Sequence, residues 1–170
     1  MEAARLVAAL ERFVGVLPAV TRGVTAEDAR WKPADGAWSV LEALRHLAEE
    51  EVRDFRVWIG RALGESAVPP PAIDEAAVAA VRAGGVAEAV AFFERERGRS
   101  VAWLKEIAAT ADWGRPIKHK DGWDLTAGGI LAGWVAHDAT HLRQIAKRFY
   151  QMAERDGMPY GADYSGGWRA

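Results

Sequence analysis

The sequence predicts an all-α fold: four long helices packed as a bundle, with a long crossover between the second helix and the third. Apolar residues recur at steps of three and four through four extended stretches, the period of helices with one buried face. No run alternates apolar and polar residues in the manner of a half-buried strand. Pro69-Pro70-Pro71, which cannot continue a helix, falls between the second stretch and the third. With 170 residues, 50% of them hydrophobic and 27% charged, the chain has the size and composition of a single folded domain spanning 1–170. Within it, 156–170 reads as an irregular tail rich in Gly and aromatics, a strap over the bundle or over a partner subunit.

The first helix runs from Glu2 to about Thr21, with Leu6, Leu10, Phe13, Leu17 and Val20 as its stripe. Ser39, with Glu42 three residues on, has the pattern of a capping box and starts the second helix. That helix carries Val40, Leu44, Leu47, Phe55 and Trp58 on its core side and Glu49, Glu50, Arg53 and Arg56 largely on the other, ending near Gly60 to Gly64. The segment Glu65 to Gly85 reads as a crossover containing a short helix from Asp74 to Arg82. The third long helix brings Val86, Val90, Phe93, Arg97, Val101 and Leu104 into phase, so Arg97 either meets a buried carboxylate or reaches to water. A polar turn, 118–122, follows, in which His119 is expected to be solvated. The fourth helix starts near Asp124 or Thr126 and runs to about Glu154. Gly128, Gly129 and Gly133 each lower its propensity by up to about 1 kcal/mol relative to alanine, which suggests close approach by another element.

Composition narrows the function. Net charge is −2 with Arg interleaved among Asp and Glu, so the basic footprint of a nucleic-acid binder is missing. Without cysteine, thiolate metal sites, disulfides and a cysteine nucleophile are excluded. The first residues enter an amphipathic pattern at once, with no signal-type run, and no stretch has the length of a membrane span. The expected setting is the cytoplasm, without membrane or nucleic-acid partners and with a small-molecule substrate.

Two of the four histidines, His137 and His141, stand four residues apart on the inward face of the fourth helix, in line with Ile130, Trp134 and Ile145. His46 sits beside the core stripe of the second helix. If those helices are neighbours, the three imidazoles can close on one divalent cation and leave coordination positions open, as a catalytic or ligand-binding centre does. Imidazole suits zinc, nickel, copper and iron alike. Glu42 and Glu50, one turn to either side of His46, are candidates to orient that ring, with capping and solvation as their competing roles. Asp138 points away from its neighbour His137. Eight tryptophans are many for this length; Trp31, Trp38, Trp58, Trp103 and Trp134 are expected in or beside the core, with Trp134 at the pocket wall. No catalytic proton donor or acceptor stands out.

The run Trp31-Lys32-Pro33, the block Trp38-Ser39-x-x-Glu42-x-x-x-His46-Leu47 and the distant block His137-x-x-x-His141-x-x-Gln144-Ile145 together resemble the DinB-like (DinB/YfiT) superfamily. The resemblance implies a four-helix bundle, often a homodimer, with a divalent metal, zinc or nickel, held by His46, His137 and His141. It also implies transfer of a low-molecular-weight thiol of the bacillithiol or mycothiol type as the leading activity. A metal-dependent hydrolase using activated water and a non-catalytic, stress-related metal-binding bundle are the alternatives.

Overall fold

The computed structural model describes residues 2–64, 67–119 and 121–168. Its architecture is the expected bundle: α1 (Ala3–Phe13) and α2 (Val16–Val20) form the first arm, α4 (Val40–Arg53) and α5 (Phe55–Leu63) the second, α7 (Val86–Ile107) the third and α8 (Ala127–Asp156) the fourth. Between the arms lie α3 (Ala26–Arg30) and α6 (Glu75–Ala83). Ser39 does cap α4: its Oγ accepts from the Glu42 amide at 3.1 Å, and Glu42 Oε2 accepts from the Ser39 amide at 2.7 Å. Thr126 caps α8 in the same way, and Asp74 caps α6. Glu65, where the crossover begins, lies outside the described residues. Further along, Trp103 Nε1 donates to the Val68 carbonyl at 2.9 Å and pins the crossover to α7.

Two arms are broken where unbroken helices were expected. The first breaks at Val14 and Gly15, and Pro18 supplies the reason. A proline ring clashes with the carbonyl four residues earlier, here Val14, but is accepted in the first turn of a new helix. The second breaks at Asp54, whose φ of −116° and ψ of −91° are not helical, and α5 resumes at Phe55. Past this break Arg56 lies inward: it is fully buried, with Nη1 and Nη2 both 3.1 Å from Glu96 Oε2, and does not join the outer face.

Strands are also present. Pro116–Lys118 (β1) and Asp124–Thr126 (β2) pair antiparallel, with Ile117 opposite Leu125 and both packed on the core below. At three residues each, they are too short for alternation to show. The hairpin's closing residue, His119, is 9% exposed rather than solvated. Its ring lies 4.4 Å from that of Trp58 and 5.5 Å from that of Trp123. Lys120, next in that turn, is outside the described residues.

Apolar packing falls into two clusters. One gathers Phe13, Leu17, Leu44, Leu47, Phe93 and Ile145; the other gathers Leu10, Ile59, Leu104, Leu131 and Trp134. Between them Arg97 spans from Glu51 on α4 to Asp138 on α8, while its guanidinium faces Phe93 and Trp134 at 4.7 and 5.4 Å. Arg97 therefore meets buried carboxylates and does not reach water. Close backbone approach occurs at Gly60, where a Cβ would lie 2.8 Å from Pro70, and not at Gly133, where a Cβ would meet nothing. The tail beyond Asp156 is largely exposed, with Trp168 set 5.7 Å from Tyr150. Among the described residues no helix is long and apolar enough to cross a membrane.

Candidate metal centre

His46 on α4 and His137 and His141 on α8 meet at one point of the interface between those helices. His137 Nε2 is 3.1 Å from His46 Nε2 and 3.0 Å from His141 Nε2. A cation bound at about 2.0–2.1 Å by three ligands on one side places their nitrogens about 2.9–3.4 Å apart, so these two spacings suit such an ion, and the donor atoms of all three rings lie within 4.8 Å of one another.

Tautomers sharpen the fit. His141 Nδ1 lies 2.8 Å from Gln144 Oε1, an acceptor, so Nδ1 carries the proton and Nε2 presents its lone pair. His46 Nδ1 faces Glu50 Oε1 at 4.0 Å, which favours the same tautomer. Two lone pairs thus converge on His137 Nε2, whose single proton could serve only one of them. A cation satisfies all three.

The electrostatics keep two of the donors, His137 and His46, neutral. Burial, then the neighbouring His141 and His46, push the His137 imidazole down to about 3. Burial and His141 also lower His46, against the opposing pull of Glu49 and Asp54. Protons therefore compete weakly for these two nitrogens.

The remaining sequence candidates divide. Glu50 lines the cavity next to the cluster. Glu42 is engaged elsewhere: beyond the cap, its Oε1 accepts from Lys32 Nζ at 2.9 Å, and that ion pair lowers its carboxyl. Trp134 is 1% exposed and stacks on Phe55 at 5.3 Å; Phe55 in turn meets the His137 ring at 5.0 Å. It backs the site from one layer behind. The tryptophan that touches the ligands is Trp38, 5.0 Å from the His46 ring and 6.1 Å from that of His141. At 40% exposed it is not a core residue. Sequence reasoning missed Gln144 as an orienting residue, although its place three residues after His141, on the same helical face, was visible. Gln144→Ala is expected to weaken metal binding by roughly 10–100-fold, measured by competition with a chelating dye, while helicity by circular dichroism stays unchanged.

The cluster opens in two directions. On the His137 side a cavity of about 380 Å³ is walled by Phe55, Trp58, His119 and Trp123, with Glu50, Asp54 and Asp121 as its acidic groups. Gly129 and Gly133 line it too, so their missing side chains leave room for an occupant. On the His141 side a groove of about 530 Å³ is bounded by Trp38, Gln144, Arg143, Lys147 and Arg148.

Comparison with known proteins agrees with the helical-bundle fold. A family model described as the DinB superfamily matches residues 9–145. No curated protein matches the chain. Among solved structures, YfiT from Bacillus subtilis, described as a probable metal-dependent hydrolase with an unusual four-helix bundle topology, superposes with a TM-score of 0.70 at 20% identity. The superposition covers 89% of this chain and 87% of that one, and at this identity it speaks for the fold.

Proposed function

The chain belongs to the DinB superfamily, and on that premise we propose that it is a divalent-metal-dependent hydrolase of small molecules, with His46, His137 and His141 as the ligands. A divalent ion there would supply Lewis acidity toward a substrate oxygen and make a water acidic. The observation that favours hydrolysis is the acidic wall of the cavity onto which His137 opens, because a water nucleophile needs a proton acceptor nearby. Glu50 is the residue we assign that role. It stands one turn from His46 on α4 and lines the cavity, whose wall also carries the rings of Phe55, Trp58 and Trp123. Asp54, at the break between α4 and α5, lines the same wall.

Metal-loaded protein, assayed without any thiol against nitrophenyl esters and phosphates, is expected to release nitrophenol. Glu50→Gln should lower kcat by roughly 10²–10⁴-fold with metal stoichiometry unchanged. Loss of metal in that variant would instead make Glu50 a positioning residue for His46. Transfer of a low-molecular-weight thiol of the bacillithiol or mycothiol type is the second reading, favoured by a cysteine-free sequence that must take its sulfur from elsewhere. Turnover of monochlorobimane that depends on an added thiol, with no release of nitrophenol, would select it. Loaded protein inert in both assays would select the non-catalytic bundle.

A further inference from the structure

Two turns beyond His141, α8 carries a buried cation that no carboxylate pairs with among the described residues. Arg148 is 3% exposed; its Nη1 donates to Gln151, and its Nε has no hydrogen-bond partner. Among the described residues no carboxylate pairs with it. The other fully buried arginines are handled differently, since Arg56 is paired with Glu96, and Arg97 with Glu51 and Asp138. A guanidinium does not shed its proton, so burying one without an anion is unfavourable unless something else supplies the charge.

Arg148 borders the groove of about 530 Å³ that begins at His141, and Arg143 and Lys147 border it as well. Among the described residues no carboxylate lines that groove, and Trp38 offers a partly exposed ring at the histidine end. The opposite cavity, beside His137, has acidic walls. The two openings of the histidine cluster thus differ in sign.

We infer that the groove beside His141 binds an oxyanion of the substrate, a carboxylate or a phosphate, between Arg148 and Lys147. A guanidinium suits either oxyanion because its parallel N–H groups match a pair of oxygens. Seven residues separate Arg148 from His141, which at 1.5 Å per residue is about 10 Å along the helix. The substrate class is therefore a small anionic molecule whose charged end lies some two helical turns along α8 from the histidine cluster. This inference rests on the hydrolase reading for the reaction but not for the binding, so it is tested without metal and without turnover.

Full-length protein, stripped of metal with a chelator and dialysed, is titrated with inorganic phosphate and separately with glutarate, followed by calorimetry and by the amide resonances of residues 143–148. At least one oxyanion is expected to bind and to move those resonances. Lys147→Gln should weaken that binding by about 10-fold and Arg148→Met by about 10–100-fold, with Lys147→Arg restoring it. Lys147 is only partly buried, so its variants keep the test decisive if Arg148→Met fails to fold. Binding of phosphate alone assigns a phosphorylated substrate, and binding of glutarate alone a carboxylate. Failure of both, or binding indifferent to the Lys147 and Arg148 variants, overturns the inference. Oxyanion binding that persists in a protein without hydrolase activity would overturn the proposed reaction and leave the groove assigned.

Discussion

Arg97→Met is expected to destabilise the protein by about 3–5 kcal/mol and to lower the thermal midpoint by about 10 °C or more. Arg97 is 1% exposed, with Nε 2.8 Å from Glu51 Oε2, and Nη1 and Nη2 2.7 and 2.9 Å from the two oxygens of Asp138. Methionine fills much of the stem's volume between Phe93 and Trp134, but it leaves two buried carboxylates with no cation. That is the expensive way to break a buried ion pair. Burial already pushes both the Glu51 and the Asp138 carboxyls upward from the usual carboxylate range, and Arg97 is what opposes it. With the cation gone, the folded state holds protons on these groups that the unfolded chain releases. Stability of the variant should therefore rise as pH falls from about 8 toward 5, because the folded state binds more protons there. Melting curves by circular dichroism at both ends of that range check the claim, and an unchanged midpoint would refute it. The effect reaches the metal centre as well. Glu51 lies five residues after His46 on α4, and Asp138 follows His137 on α8, so Arg97 ties together the two helices that carry the ligands.

That tie shows what the sequence could and could not disclose. The bundle was legible because its four apolar stripes are long, and each reports a buried face without reference to any other. His137 and His141 were legible because they stand in phase with such a stripe, and His46 because it sits beside one. Arg97 interrupted its stripe, which announced an anomaly, but its partners sit on other helices at separations of 46 and 41 residues. Nothing local points to them. The helix break at Asp54 was hidden because no glycine or proline marks it, whereas Pro18 did mark the break in the first arm and could have been read. The hairpin escaped because three-residue strands give alternation no room, and His119 was misplaced with it: polar neighbours on both sides spoke for solvent, while Trp58, sixty-one residues earlier, covers its ring. The two openings of the histidine cluster, one acidic and one basic, are assembled from several elements or from residues whose burial depends on packing. Spacing alone could not rank Trp38 above Trp134 as the ring beside the ligands.

His137→Ala should abolish stoichiometric metal while leaving a folded helical bundle. His137 Nε2 is the nitrogen that both other rings approach, at 3.1 and 3.0 Å, so its loss leaves His46 and His141 without the shared vertex. The fall in affinity should exceed the roughly 10–100-fold that follows from losing an outer partner such as Gln144. Folding is expected to survive, because the ring is only partly buried and the apolar clusters on either side do not depend on it. Removing His137 also relieves the crowding of neutral imidazoles, so the metal-free variant should be no less stable than the metal-free parent. Proton competition gives an independent check on the parent protein. His46 and His137 are both held below the ordinary histidine value of 6.5 by burial, so metal should stay bound as pH falls through 6.5 and be released only below it. Elemental analysis after dialysis across pH 4–8 measures both outcomes. Full metal retention in His137→Ala would dismiss the three-histidine assignment, and release from the parent above pH 6.5 would show that His46 and His137 do not hold the ion.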